Sequence, residues 1–403
     1  MTGPQDAGAP APLAGLRVLD LGHTIMGPCA GLILADLGAD VVKVEPPEGD
    51  ATRRLPGFGA GFFATFNRNK RSLVLDLKQP AGQAALHRLA ARADILLENY
   101  GPGTMERLGC GFDVLAQHNP RLIYLALKGF LAGPYEGRGA LDEVVQMQTG
   151  LAVMTGPPGR PLRAGASVID ILGAVFGVVG TLAALRERER TGRGQRVGSA
   201  LFESAAFLVG SHIAGSVLTG GPMPPMPARR GTWGIYDVFT AADGVPMFVG
   251  VTSDAHWRRF GAAFGVPDLL ADPRLADNAG RAAARGWLIP RLAALLGTLP
   301  AADIAARCEA AAIPYARVGH PLDLLDDPHL LAGGGLLGTA LSALGGGDDR
   351  VGLPALPLEF GPARSRGGLI RQPPRIGEHG AEVLREAGFS AAEIARLVAD
   401  SAA

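Results

Sequence analysis

One carboxylate, Asp170, stands at the head of the run DILGAVFGVVGTLAAL, and no charge follows it until Arg186. Two kinds of chemistry suit it there. Aspartate is a favoured helix N-cap because its oxygens accept the unpaired N–H groups of a first turn, worth on the order of 1 kcal/mol. The positive end of the same helix would also keep a carboxylate ionised in apolar surroundings. That suits an anion that attacks an acyl group. A second set of candidates lies in NRNKRSLVLDLK and ENYGPGTMERLG, which carry Lys70, Arg71, Lys78, Asn99 and Arg107 close to strand ends. Ligands of open α/β sheets settle outside the carboxyl ends of the strands, and basic groups there suit a phosphorylated molecule. The plainer reading of each is a solvated basic rim.

Other chemistries lack their residues. The chain has no HExxH, and its eight histidines are scattered without metal-ligand spacing, so no metal is expected. No GxxxxGK[ST] loop is present for ATP and no GxSxG elbow for a serine nucleophile. The first strand-to-helix turn, GHTIMG, is not GxGxxG; Glu45 alone, at the end of the next strand, is a weak sign of NAD.

The elements that must hold these residues are legible from periodicity. RVLDL, GPCAGLILADLG and DVVKVE read as strand, helix and strand, the helix closed by Gly38. SLVLDL (72–77), a helix over 81–93, DILLEN (94–99), a helix near FDVLAQHNP and LIYLALKG (122–129) repeat the pattern. The sum is an α/β domain with an open, mainly parallel sheet. The helix after Asp170 should leave into solvent at RERERTGRGQ, and VGSALFESAAFLVGSHIAGSVL reads as another long helix. Gly173 and Gly177, one turn apart, would admit another backbone. TGGPMPPMPARRG (219–231) reads as a linker, and GIYDVFTAADGVPMFVGV as a hairpin turning at Asp243 and Gly244. GGGLLGTALSALGGGDDR reads as a mobile connection before a terminal helical pair.

At 403 residues the chain exceeds one ordinary core, so two domains are expected. Thirty-eight basic residues balance thirty-eight acidic ones, which argues against nucleic acid or an acidic membrane surface as partner. Three widely spaced cysteines fit a reducing cytoplasm, and the Pro/Ala-rich start does not read as a signal peptide. The uncharged run Ile171–Leu185 falls short of the roughly 20 residues of a membrane span, so it reads as a buried helix.

Taken in order, LDLGHTIMGPCAGLILADLGADVVKVEPP, NRNKRSLVLDLK, ILLENYGPGTMERLG, GASVIDILGAVFGVVGTLAALRERERTGRGQ, IPYARV with DPHL, and GEHGAEVLREAG resemble the class III (CaiB/BaiF-type) CoA-transferases over nearly the whole chain. The resemblance implies an interlocked homodimer. It implies a Rossmann-like large domain built from both chain ends (1–218 and 331–403) and a linker with a small α+β domain (219–330). It places the family's nucleophilic aspartate on Asp170 and a neighbouring acid on Asp142. By the formyl-CoA transferase pattern, coenzyme A contacts fall on Ile25, Met26, Leu75, Lys78, Asn99, Tyr100, Gly101 and Arg107. The substrates implied are an acyl-CoA and a carboxylic acid, exchanged through an aspartyl-acyl anhydride and an aspartyl-CoA thioester.

Three departures stand out. A glutamine of the first turn is replaced by Ile25, an active-site tyrosine by Leu141, and an arginine by Pro46. The racemase branch of the family has its catalytic histidine where Leu141 stands, which removes one of that reaction's two bases. A racemase and a non-catalytic CoA-binding paralogue are the alternatives to CoA transfer. ALKGFLAGPY, the stretch 140–165 and RRGTWGIYDVF look closer to mesaconyl-CoA C1–C4 transferase and other dicarboxylate-handling members. A free substrate carboxylate would then need a cation, for which Lys128, Arg163, Arg229 and Arg230 are candidates.

Overall fold

Val18 and Leu19, Val41 and Val42, Ile95 to Leu97, and Ile123 to Leu127 are apolar without alternation, as strands covered on both faces must be. They form the centre of the larger of two units in the computed structural model, which describes residues 11–228, 232–341 and 349–400. The larger unit is Met1–Pro227 with Pro328–Ala403, and the smaller is Ala228–Asp327.

The larger unit runs β1 (Arg17–Asp20), α1 (Met26–Asp36), β2 (Asp40–Glu45), β3 (Lys70–Val74), α2 (Pro80–Ala90), β4 (Ile95–Glu98), α3 (Phe112–His118) and β5 (Ile123–Lys128). Then follow α4 (Asp142–Gln148), α5 (Val168–Thr191), β6 (Arg196–Ala200) and α6 (Leu201–Thr219). The sheet order is β3-β2-β1-β4-β5-β6, with every neighbouring pair parallel. This is the doubly wound Rossmann order, and it reverses between β1 and β4.

Several expectations need correction. Strand β3 begins at Lys70 rather than Ser72, so Lys70 and Arg71 sit at its amino end, away from the ligand edge. Arg71 is saturated there by Asp40 (2.6 Å), Glu382 (3.0 Å) and Glu386 (2.9 Å). The stretch from Val197, read as helix throughout, starts as β6; the open edge of β5 takes a partner, and Gly198–Ser199 has low helix propensity. The stretch read as a mobile connection holds an antiparallel hairpin, β10 (Leu336–Ala340) with β11 (Arg350–Pro354).

Helix α5 has 24 residues and ends at Gly192, whose left-handed φ of 73° suits glycine. Its glycines face inward: a Cβ at Gly177 would lie 2.7 Å from Leu127 Cδ2, and one at Gly173 would collide with Met26 Cε. They admit side chains of β5 and α1, not another backbone. The other face exposes Ile171, Val175, Val179 and Leu182, and α6 exposes Phe207, Ile213, Val217 and Leu218. The expectation of a buried helix too short to span a bilayer is therefore overturned. By length and composition alone both α5 and α6 could cross a membrane.

In the smaller unit β7 (Ile235–Thr240) and β8 (Pro246–Val251) form the expected hairpin, with Gly244 at φ 79°. A third strand, β9 (Tyr315–Arg317), was not expected and pairs with β8. Trp257, Phe260, Leu288 and Leu292 build this unit's own core. Helices Gly380–Glu386 and Ala391–Asp400 return to the larger unit, burying Val383, Leu384 and Leu397 against its core.

Candidate functional site

The strand order reverses at β1 and β4, so the turns after them border the crevice where a ligand fits. These turns are tied together: Asn99 Oδ1 accepts the His23 N–H (2.8 Å), and Asn99 Nδ2 donates to the His23 carbonyl (2.9 Å). Gly22 and Gly27 pack backbone to backbone; a Cβ on Gly22 would lie 2.6 Å from Gly27 Cα. Between them Thr24 takes the left-handed φ of 65°, a strained choice for a β-branched residue. Ile25 is the N-cap of α1 with no side-chain capping bond, and both it and Met26 are buried.

Asp170 lies near α1: Gly173, one turn further along α5, packs on Met26, and Asp170 acts electrostatically on Cys29. It is not the N-cap: α5 begins at Val168, which makes Asp170 its third residue. The capping oxygen comes from Asp142, whose Oδ2 accepts the N–H groups of Ile169 (2.8 Å) and Asp170 (3.2 Å). Gln146 donates to Asp142 Oδ1 and accepts the Ala164 N–H at 2.9 Å, which ties the approach loop to the same carboxylate. The two acids thus differ. Asp142 is buried and fully engaged, while the half-buried Asp170 carboxylate accepts no hydrogen bond from the described residues. Burial pushes Asp170 up to about 7, Asp142 adds to the rise, and Arg163 opposes it. Burial also pushes the Cys29 thiol of α1 up to about 12, opposed by Lys70 and reinforced by Asp170, so Asp170 and α1 share one electrostatic neighbourhood.

The other sequence candidates fall into three groups. Lys78 and Arg107 are exposed beyond the carboxyl ends of β3 and β4. Among the described residues Arg107 bonds only to Thr104 Oγ1 (2.9 Å) and the Pro102 carbonyl (3.4 Å), and no carboxylate neutralises it. Gly101 is exposed in the same loop, and Leu75 is buried just after β3. Tyr100 is half-buried, its ring 5.4 Å from that of His23. Lys128 is committed to Glu98 (2.7 Å) and the Tyr100 carbonyl (2.9 Å). Arg163 is half-buried, and among the described residues its only ion pair is with Glu143 at 4.0 Å. Arg229 and Arg230 lie outside the described residues. Leu141 is the exposed N-cap of α4, next to Asp142.

Sequence reasoning missed His23, Gln146 and a buried charge network of Asp20, Lys43, Asp50 and Lys70. A signal existed for the last. Lys43 interrupts the apolar strand DVVKVE, and a charge in a buried strand needs a partner. Among the described residues no cluster of His, Cys, Asp and Glu could hold a metal. Two clefts at the amino-terminal edge of the sheet are bounded by the saturated Arg71, on the side opposite the crevice.

Comparison with known proteins shows the family. The chain is 33% identical over 97% of its length to a succinyl-CoA–D-citramalate CoA-transferase of Chloroflexus aurantiacus, covering 98% of that protein. It is 36% identical over 93% to a succinyl-CoA:mesaconate CoA-transferase of Haloarcula hispanica, covering 96% of it. A CAIB/BAIF family protein from Brucella suis superimposes with a TM-score of 0.81 at 29% identity, over 94% of this chain and 99% of that one. The family model for CoA-transferase family III matches residues 13–380, and with these relatives it shows the chain to be a transferase that belongs to CoA-transferase family III.

Proposed function

We propose that the protein moves coenzyme A from an acyl-CoA to a small dicarboxylic acid, with Asp170 as the nucleophile. One observation carries this reading: at the start of α5 one carboxylate is spent on capping, and the other is half-buried with free oxygens. Asp170 attacks the thioester carbonyl, forming an aspartyl-acyl anhydride and releasing CoA thiolate. The thiolate attacks the aspartyl carbonyl of the anhydride, which frees the donor acid and leaves an aspartyl-CoA thioester. The acceptor carboxylate attacks that thioester, forming a second mixed anhydride and releasing CoA thiolate, which attacks the acceptor's acyl carbonyl to give the new acyl-CoA and set the Asp170 carboxylate free. One thioester replaces another, so no ATP is consumed, and each difficult exchange is divided into easier steps. Succinyl-CoA with mesaconate- or citramalate-type acids is the substrate class the relatives' names suggest. Arg163 is the candidate for the free carboxylate, since Lys128 is already neutralised. Hydroxylamine added during turnover should trap the thioester as a hydroxamate, readable by mass spectrometry. Turnover that leaves Asp170 unmodified overturns the assignment.

The pH dependence follows from burial. Attack needs the ionised carboxylate, so single-turnover transfer should rise with pH to a half-maximum near 7, where Asp170 titrates. A flat profile between pH 6 and 8 would place the nucleophile elsewhere.

Coenzyme A fits the carboxyl edge, where Lys78 and Arg107 are exposed and Arg107 has no acidic partner among the described residues. Arg107→Ala should weaken CoA binding by about 1.5–3 kcal/mol in calorimetry, the range for a hydrogen bond to a charged group.

The exposed stripes of α5 and α6 call for a cover, and we assign it to a second copy of the chain, as the family resemblance implies. Light scattering at micromolar concentration should give twice the chain mass; a stable monomer would refute this. Three buried free thiols suit a reducing cytoplasm, the compartment we propose.

A further inference from the structure

The chemistry at Asp170 leaves unexplained the charges beneath the β1–α1 turn. Asp20, Lys43 and Lys70 are fully buried, and burying an ion costs several kcal/mol unless it is well paired. The pairs exist: Lys70 Nζ is 2.7 Å from Asp20 Oδ2, and Lys43 Nζ is 2.9 Å from Asp50 Oδ2. Apolar side chains of similar volume are often as stabilising or more so, so stability alone does not account for them. Their remaining bonds do. Asp20 Oδ1 accepts the Gly22 N–H (2.8 Å), Lys43 donates to the Gly22 carbonyl (2.7 Å), and Lys70 donates to the Pro28 carbonyl (2.8 Å).

Gly22 is thus held through both its N–H and its C=O by side chains of opposite charge, and the start of α1 is held by a third. A glycine makes room for the device, since a Cβ on Gly31 would collide with Asp20 Oδ2. Between the anchors run His23, tied to Asn99, and Thr24, kept in its strained conformation. A strained backbone persists only where its surroundings over-determine it.

We propose that Asp20, Lys43 and Lys70 are positioning residues for acyl-CoA: they hold the β1–α1 turn in the one conformation that presents residues 23–26 to the ligand. This rests on the assignment of the acyl-CoA site to the crevice between β1 and β4. The three side chains touch no substrate and act through the Gly22 and Pro28 peptides.

Two double variants of the full-length protein separate positioning from packing. Asp20→Asn/Lys70→Met and Asp20→Leu/Lys70→Met both remove the ion pair and leave no unpaired charge. Only the first keeps an oxygen for the Gly22 N–H. Free coenzyme A is titrated by calorimetry, and hydrogen exchange is followed in peptides covering 21–28 and 123–128. The asparagine variant, which loses the Lys70 bond to the Pro28 carbonyl, should bind CoA about tenfold more weakly than wild type, and the leucine variant, which also loses the bond to the Gly22 N–H, about tenfold more weakly again, one well-made hydrogen bond apiece. The leucine variant should also exchange faster at 21–28 and unchanged at 123–128. Gly31→Ala adds an arm that removes no charge: its methyl intrudes on Asp20 and should weaken CoA binding by about threefold or more. Equal affinity of the two double variants, or full affinity despite a loosened turn, overturns the proposal. Failure of the wild type to bind CoA overturns the site assignment, and the proposal with it.

Discussion

Asp170→Asn should lower CoA transfer by at least about 10³-fold, since a carboxamide cannot form the anhydride and removal of a nucleophile costs that order or more. The fold should survive, because Asp142, not Asp170, caps α5. A variant transferring at near wild-type rate would reduce Asp170 to a first-turn residue. The same substitution should raise stability at alkaline pH. In the folded protein Asp170 titrates near 7 rather than at its ordinary 3.8. The folded state therefore holds the proton more tightly than the unfolded chain. That contribution to stability is complete below 3.8 and is lost as pH rises through about 7. Asparagine removes the ionisation and escapes the loss. Discounted for the solvent that reaches a half-buried group, the gain at pH 8 is about 1–2 kcal/mol. Melting curves of the two proteins should separate at pH 8 and converge near pH 4. Equal curves at both pH values would mean that burial does not act on this carboxylate.

Asp142→Ala should have the second-largest effect. It removes the acceptor of two α5 N–H groups, costing about 1–2 kcal/mol in a denaturant titration, the range for a lost cap. It also frees the helix start that carries Asp170, and a displacement of that kind can slow transfer by about 10²-fold. Asp142→Asn gives a cleaner contrast. Its oxygen can still cap, but its charge no longer raises Asp170, so the acid limb of the rate profile should move below pH 7. An unmoved limb would show that Asp142 does not influence the ionisation of Asp170.

Where sequence carried the fold, it did so through local pattern. The β1–α1–β2 unit and the turn at Gly244 were legible because apolar runs end at glycines that only a tight turn requires. The start of β3 was not, because Lys70 and Arg71 look like loop residues until Asp20, Asp40 and the C-terminal acids supply their counter-charges. Strand β6 was hidden for a similar reason: RVGSA carries little strand signal by itself and is selected by the bare edge of β5. At the site, the identity of Asp170 was readable and its setting was not. The oxygen that caps its helix comes from a residue 28 positions earlier in the chain, a distance no local pattern reports.

The return of residues 328–403 to the sheet has a consequence for synthesis on the ribosome. The smaller unit is one unbroken segment, Ala228–Asp327, and can complete its core as soon as it clears the exit tunnel. The larger unit cannot, although its first 227 residues emerge earlier. Until the C-terminus follows, Arg71 lacks Glu382 and Glu386, Asn69 lacks the Ile370 and Arg371 amides it accepts from, and the core beneath Val383 and Leu384 is open. The nascent chain therefore finishes its second unit first. It carries a six-stranded sheet whose core lies open where the C-terminal helices will pack until residues 380–400 follow, and this interval is where chaperones would be needed.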